Sequence, residues 1–221
     1  MLAGRAPLSA FGPQSEQAYQ AIEEAIATLV FRPGAAVSEA QIAEQVGFGR
    51  TPVREALQRL ARERLVQVLP RRGIVITEID PAAQLRLVLV RRELERLLAQ
   101  LAARQADADQ RAAFGEIAAG LAEVARTADD TAFLRLDRQL NLLVLDAAHN
   151  EFAAAAMGLL HGLSRRFWYR HGRRADGMLG ETALAHARLA EAIAAGAAPG
   201  AASASDALMN HIERFTQAVR R

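Results

Sequence analysis

Two arginines, a threonine and a glutamine lie between positions 50 and 58 at the spacing of one helix face, and each can hydrogen bond to a DNA base. The residues are Arg50, Thr51, Arg54 and Gln58. The guanidinium fork matches the O6 and N7 acceptors of guanine. Such side chains at the start of a helix are typical of a helix that reads the major groove. The set therefore predicts contacts with double-stranded DNA.

The neighbouring residues predict the helix that presents this face. Thr51 is the expected N-cap and Pro52 the first helical residue, where a missing N–H costs nothing. The apolar residues at helical spacing face inward, and they are Val53, Ala56, Leu57 and Leu60. This pattern leaves the polar set on the outer side of the helix.

A short helix precedes this one at the spacing of a helix-turn-helix. Ser38 and Gln41 have the pattern of a capping box, and Gly47 is suited to end the helix in the left-handed conformation. Another amphipathic helix, from Ser15, ends before Pro33. The pattern predicts three helices in the order of a helix-turn-helix domain.

A two-stranded hairpin, or wing, is predicted next. Apolar residues alternate with other residues on both sides of a Pro-Arg-Arg-Gly turn, and the tip carries Arg72 and Gly73. An arginine at the tip can reach neighbouring phosphates or the minor groove. An ordinary capping hairpin is the alternative.

Charge is concentrated in this part of the chain. The formal net charge is only +2, and all 27 basic residues are arginine. Seven of these arginines lie between Arg50 and Arg72, against two glutamates, which favours phosphate contacts. The alternative is a solvated helix face with internal ion pairs, such as Glu55 with Arg59.

The remainder of the chain is predicted to be helical. Asp80-Pro81 marks a boundary between a domain at 1–79 and a domain at 80–221. The second domain has helical patterns at about 81–106, 109–127, 129–148, 150–171, 178–195 and 202–220, which predict an antiparallel all-α bundle of about six helices. The segment 196–205 reads as a flexible loop. The fold class is mostly α, a winged helix-turn-helix followed by a bundle.

Bulk composition narrows the class of protein. The chain has no cysteine, which excludes disulfides and thiolate metal sites. It has neither an apolar leader pattern nor an uncharged stretch of membrane-spanning length. We therefore expect a soluble cytoplasmic protein with no membrane partner.

The sequence resembles the GntR superfamily of bacterial transcription regulators in its first part and the FadR-type FCD domain from about 80 to 221. The residues of the first resemblance are Pro33, Gly34, Val37, Ser38, Glu39, Ile42, Ala43, Gly47, the run from Arg50 to Leu57, Leu60, Leu65, Val66, Arg72 and Gly73. Those of the second are Arg91, Leu94, Glu95, Asp137, Arg138, Asn150, His186, Ala192, Ile193 and His211. The chain departs from the pattern at Gly49, where the family has serine, and at Arg64, where it has glycine.

The second resemblance implies a divalent metal held by an aspartate, a histidine four residues later and two further histidines. The corresponding residues here are Asp137, Asn141, His186 and His211. Zinc, nickel or manganese would suit the histidines, but an amide oxygen is a poor ligand for such metals. Alternatively, Asp137 pairs with an arginine of the bundle, and the histidines are inward-facing side chains.

The resemblance also implies a small effector, a carboxylate or a related metabolite. Arg91 is the leading candidate to bind it because guanidinium pairs bidentately with carboxylate. The alternative for Arg91 is a salt bridge to Glu95. Weaker candidates are Arg138, Arg165 and Arg166, and the aromatic cluster 167–169 is expected to be packing core or dimer surface.

These patterns together favour a ligand-responsive transcriptional regulator that is not an enzyme. It would bind a pseudo-palindromic DNA operator as a homodimer, and repression is the favoured sign of regulation. The first alternative is a helical metal-dependent enzyme with an accessory winged helix, although the sequence lacks the common catalytic motifs. The second alternative is a DNA-binding protein that responds to no metabolite.

Overall fold

The computed structural model describes residues 13–69, 73–172 and 178–220. Contacts between residues divide the chain into two compact units, Met1–Ile79 and Asp80–Arg221. Within the described ranges, no helix is both long enough and apolar enough to cross a bilayer.

The first unit combines three helices with a small sheet. The helices are α1 (Pro13–Ala27), α2 (Glu39–Val46) and α3 (Arg50–Arg62), and the strands are β1 (Ala36–Val37), β2 (Val66–Leu69) and β3 (Gly73–Ile76). Its core consists of fully buried aliphatic side chains, including Ile22, Ile26, Ile42, Leu60 and Ile76. Burial of this apolar area holds the helices against the sheet.

Local capping signals place α2 where the sequence predicts it. The Ser38 hydroxyl accepts from the Gln41 N–H, the Gln41 side chain accepts from the Ser38 N–H, and Gly47 ends the helix at φ 73°. The prediction for α3 was wrong in detail, because Gly49 is its N-cap and Thr51 lies inside the first turn. Pro52 is tolerated there because N–H groups of the first turn have no intrahelical acceptor.

The sheet has three strands in the order β1-β3-β2, so the predicted two-stranded wing was incomplete. Both pairings are antiparallel, and Ile74 of the central strand β3 lies between Val37 of β1 and Val68 of β2. A strand of two residues has too little alternation to be recognised in a sequence. Gly73 adopts φ 83°, and a Cβ there would lie 2.9 Å from the Val37 carbonyl oxygen.

The second unit is a bundle of helices, as predicted. The described helices are α4 (Pro81–Gln105), α5 (Ala108–Thr127), α6 (Asp130–Ala147), α7 (Glu151–His171), α8 (Met178–Ala194) and α9 (Ala198–Arg220). The most extensive packing is between α4 and α9 and between α5 and α8. Phe114, Leu121, Leu140 and Met157 are among the side chains fully buried at the centre.

The predicted loop at 196–205 was wrong, because α9 begins at Ala198. Alanine is the strongest helix former, and a proline is acceptable in the first turn, where Pro199 lies. Ala201, Ala202 and Ser205 are buried against the bundle. Packing therefore converts a low-complexity stretch into the start of a long helix.

Arg111 of α5 connects the C-terminal ends of two other helices. Its guanidinium donates to the carbonyls of Ala103 and Ala106 at the end of α4 and to those of Ile193 and Ala194 at the end of α8. The last carbonyls of a helix lack intrahelical donors and carry partial negative charge. One cation therefore satisfies both helix ends.

Candidate functional site

The outer face of α3 carries the four predicted DNA-reading side chains. Arg50, Thr51, Arg54 and Gln58 are all exposed. The predicted inward set, Val53, Ala56, Leu57 and Leu60, is at most 2% exposed. A rigid helix thus presents hydrogen-bonding side chains from its N-terminal half, as a groove-reading helix must.

A contact with α2 orients the central arginine of this face. Arg54 Nη2 lies 3.0 Å from Glu39 Oε2, and Arg54 Nε lies 3.3 and 3.4 Å from the two Glu39 oxygens. The Arg54 side chain remains 64% exposed. The hydrogen bonds and charge of Glu39 raise the pKa of Arg54. The guanidinium is directed by Glu39 while it stays accessible.

Arg59 is half-buried and packs within the first unit. Its guanidinium carbon lies 3.5 Å from the centre of the Tyr19 ring, and it forms ion pairs with Glu16 at 2.9 Å and Glu63 at 3.0 Å. The pair of Glu55 with Arg59, named under the alternative of internal ion pairs, does not form: Arg59 pairs with Glu63 instead, and Glu55 accepts from the Ser15 hydroxyl. The basic cluster around α3 thus includes an arginine with a structural role.

The wing is described only in part. Arg72, predicted to contact DNA, lies outside the described residues. Gly73 is the first residue of β3, paired with Leu69. Its backbone is close to β1, which explains glycine at this position.

A cavity of about 40 Å³ lies inside the bundle of the second unit. Side chains from α4, α6, α7, α8 and α9 line it. One part of the wall is polar and includes Arg91, Asp137, Asn141, His161, Arg165 and His186. The other part is aromatic and consists of Phe133, Phe167, Trp168 and Phe215. The site combines hydrogen-bonding groups with flat apolar surfaces, as ligand pockets do.

Asp137 is the centre of the polar wall. Its carboxylate lies 3.3 Å from His186 Nε2 and 3.7 Å from Arg165 Nε, and it accepts a 3.2 Å hydrogen bond from Asn141 Nδ2. Burial raises the pKa of Asp137, but its hydrogen bond with His186 and the charges of His186 and Arg165 lower it further, so the net direction is down. The carboxylate is therefore the stable form inside the cavity.

The four residues predicted to bind metal are not all together. Asp137, Asn141 and His186 line the cavity, whereas His211 lines a separate cleft. His211 Nε2 lies 2.7 Å from the Thr182 hydroxyl, which donates to the Met178 carbonyl. His211 Nε2 is thus occupied by its hydrogen bond with Thr182, and the other ring nitrogen, Nδ1, faces Glu181 at 3.9 Å rather than Asp137 and His186.

The remaining donors do not complete a metal site. His186 Nδ1 donates to the Thr182 carbonyl over 2.8 Å, which leaves Nε2 facing Asp137. The Arg165 guanidinium lies next to the same carboxylate and already supplies positive charge. Across the described ranges, no three histidine or carboxylate side chains are grouped to hold an ion. The arrangement does not fit the predicted four-ligand centre.

Arg91 has the partner that the sequence left as its alternative. It forms a buried ion pair with Glu95, 2.5 Å between Nη2 and Oε1, and His161 Nε2 lies 3.7 Å from the same carboxylate oxygen. Burial raises the pKa of Glu95, but the charges of Arg91 and His161 lower it to about 2. Arg138, the second predicted effector ligand, is not among the cavity-lining residues.

Arg165, one of the weaker effector candidates, lies in the cavity wall beside the aromatic side chains. Arg165 is 6% exposed and lines the cavity. Phe167 is buried and Trp168 packs against the core, as the expected packing role requires, and both side chains also line the cavity. A signal was present, because His161, Arg165 and Trp168 follow one another at helical spacing on α7.

Comparisons with known proteins agree with both units. A model of the family described as bacterial regulatory proteins, gntR family, matches residues 14–76, and a model of the FCD domain matches residues 86–214. The chain belongs to the gntR family of bacterial regulatory proteins with an FCD domain. The described helices and sheet of this gntR-family chain are the winged helix-turn-helix and the helical domain that the sequence predicts.

Relatives of this gntR-family protein are named as regulators. A region of 65 residues is 51% identical to an uncharacterized HTH-type transcriptional regulator from Agrobacterium vitis and covers 29% of this chain and 38% of that one. A longer match of 139 residues, 27% identical, covers 62% of this chain and 62% of the Bacillus subtilis regulator YdhC. The chain thus spans less than two thirds of the length of these relatives.

The fold is that of solved gntR-family structures. Escherichia coli McbR/YncC superposes with a TM-score of 0.78 at 20% identity and covers 96% of this chain and 100% of its own. A GntR regulator from Rhodococcus sp. RHA1 gives 0.66 at 21% identity, covering 95% and 100%. At these identities the likeness establishes the architecture alone.

Proposed function

We propose that this protein is a ligand-responsive DNA-binding transcriptional regulator rather than an enzyme. The observation that carries the proposal is the outer face of α3, where Arg50, Thr51, Arg54 and Gln58 are exposed together on a buried apolar support. Arginine and glutamine read guanine and adenine edges in the major groove. Named regulators among the relatives support the same class.

The protein acts as a homodimer on a pseudo-palindromic operator. Two copies of α3 related by a twofold axis can enter successive major grooves. The helical unit offers a surface for self-association, because Leu89, Val90 and Leu97 of α4 are 62%, 53% and 43% exposed. An isologous contact of such helices buries the same patch on both copies.

The cavity of the helical unit binds the effector, a small carboxylate. Arg165 and His186 lie beside Asp137 and could bind the ligand carboxylate, and the aromatic wall would cover an apolar part of the ligand. A space of about 40 Å³ holds a few water molecules, so a metabolite requires the walls to move. A ligand that binds the opened form better shifts the population toward it.

Repression, relieved or modulated by the effector, is the sign of regulation that we propose. A 91-residue region is 31% identical to the Escherichia coli protein named HTH-type transcriptional repressor RspR and covers 41% of this chain and 40% of that one. The bound dimer would occlude its operator until the effector changes the dimer arrangement.

The test is DNA binding by Arg54→Ala. The DNA is a site selected from a random-sequence library with the wild-type protein, and affinity is measured against random DNA at one salt concentration. Loss of a bidentate base contact should lower the specificity ratio by roughly tenfold or more. Arg104→Ala removes an exposed arginine from the end of α4 and should leave the ratio unchanged.

Two results would contradict the proposal. Failure to select any DNA sequence would contradict the function as a whole. An unchanged specificity ratio for Arg54→Ala would contradict the assignment of α3 as the reading helix. Trp168, the single tryptophan, lines the cavity, so its fluorescence reports whether a carboxylate that alters DNA affinity enters there.

A further inference from the structure

A second cleft lies between α8 and α9, on the other side of Thr182 from the cavity. Its volume is about 630 Å³, which is ample for a metabolite. The floor near the connecting turn is built of small residues, namely Ala192, Gly200, Ser203 and Ala204. The other half carries charged and polar side chains, namely Glu181, Arg188, His211 and Arg214.

The two arginines of this cleft are available to bind an anion. Arg188 and Arg214 are exposed, and neither forms an ion pair or hydrogen bond with any other described residue. Other arginines of the bundle do pair with carboxylates, as Arg92 does with Glu213 and Arg96 with Asp206. A guanidinium without a carboxylate partner is free to bind a ligand carboxylate or phosphate bidentately.

His211 lies between the two arginines and can accept a hydrogen bond from a donor group on the ligand. His211 is 8% exposed, and its Nε2–H donates to the Thr182 hydroxyl, so the Nδ1 of the neutral ring is an acceptor. Nδ1 lies 3.9 Å from Glu181 Oε2, which also only accepts. A hydroxyl group placed here could donate to His211 or Glu181 and satisfy an atom that has no donor.

The positions along the helices are compatible with one small molecule. Glu181 of α8 lies opposite His211 of α9, and the short turn between the helices makes them antiparallel. At a rise of 1.5 Å per residue along the helix axes, Arg188 lies about 10 Å from His211 toward the turn, and Arg214 lies about 4–5 Å from it in the other direction. Arginine side chains are long enough to converge on a ligand between them.

We propose that the α8–α9 cleft is a second effector site, for a hydroxylated polyanion held by Arg188 and Arg214 with its hydroxyl on His211. Polycarboxylates and sugar phosphates share this chemistry. The cleft also adjoins the first cavity, since Thr182 contacts His211 through its hydroxyl and His186 through its carbonyl. A ligand in the cleft can therefore alter the groups that line the cavity.

The experiment is isothermal titration of the full chain, freed of metal by chelator and dialysis, with citrate as the polycarboxylate and glucose 6-phosphate as the sugar phosphate. Tricarballylate, which is citrate without the hydroxyl group, is the matched ligand control. Arg188→Gln and Arg214→Gln should each weaken binding at least roughly tenfold, because each removes a charge-assisted contact. Arg135→Gln, which removes an exposed arginine from α6, should not.

Binding of either polyanion with this variant pattern, and weaker binding of tricarballylate than of citrate, supports the proposal. Three outcomes overturn it. The first is no binding of either probe at millimolar concentration. The second is wild-type affinity in both Arg188→Gln and Arg214→Gln. The third is a loss of affinity in Arg135→Gln as large as in those two variants, which would mean nonspecific attraction by net charge. Circular dichroism verifies that the exposed variants remain folded.

Discussion

Arg54 and Glu39 form a bidentate ion pair that connects the recognition helix α3 to the first turn of α2, with Nη2 and Oε2 3.0 Å apart. Exposed pairs of this kind add little to stability. The Arg54–Glu39 pair instead orients the Arg54 side chain, because it restricts a flexible group on the surface that we assign to DNA. Glu39 also places a negative charge where phosphates would approach.

Glu39→Gln should therefore lower the specificity of DNA binding while it raises affinity for random DNA. The substitution removes a repulsive charge and leaves Arg54 less restricted, so random DNA should gain more than the selected site. We expect the specificity ratio to fall several-fold. Glu44→Gln, an exposed position further along α2, is the control for charge alone. A ratio that changes equally in both variants would reject the orienting role.

Arg64→Gly should stabilise the protein by about 1 kcal/mol, because Arg64 adopts φ 60° and only glycine enters that region without steric cost. The measurement is the free energy of unfolding in urea. Ala61→Gly, in the helix that ends just before, should instead cost about 1 kcal/mol. A loss of stability in Arg64→Gly would show that this side chain contributes more than its backbone strain costs.

Glu95→Gln should destabilise the helical unit by about 3 kcal/mol at neutral pH, since it leaves the Arg91 guanidinium buried without its partner. The pKa of Glu95 is lowered from 4.5 to about 2, so its contribution is present above its unfolded value and is lost as the pH falls from about 5 to about 2. The stability gap between wild type and Glu95→Gln should narrow over that range. Glu116→Gln, exposed on α5, should show no such gap at any pH.

Elemental analysis of untagged protein, purified without chelator, should find well under one equivalent of zinc, nickel or manganese per chain. The reason is the donor set: His211 uses Nε2 in a bond to Thr182, and Arg165 already faces Asp137. His186→Ala is the comparison. One equivalent in the wild type, lost in His186→Ala, would mean that the histidines turn toward a shared ion and would refute this assignment.

Local signals account for what the sequence predicts well. Ser38 with Gln41 and the left-handed Gly47 define α2 through contacts of a few residues, which a sequence pattern can contain. The start of α9 is different, because alanine and glycine are compatible with a loop until burial of Ala201 and Ala202 decides the matter. Long-range packing is the information that the pattern lacks.

The same distinction between local signals and long-range packing applies to the candidate sites. The exposed face of α3 follows from helical periodicity alone. The partners of buried charges do not, since the choice between a ligand and Glu95 for Arg91 depends on which helices surround it. His211 shows the limit most clearly, because its spacing is right for the predicted set while its ring bonds to Thr182 instead.

The connection that Arg111 makes between the ends of α4 and α8 has a mechanical consequence for the whole bundle. It fixes these two helices at one end, and Arg91 lies 14 residues, or about 21 Å, from the last residue of α4. Because this link ties the ends of α4 and α8 together, we expect any separation of the two helices to be smallest at Arg111 and larger near Arg91.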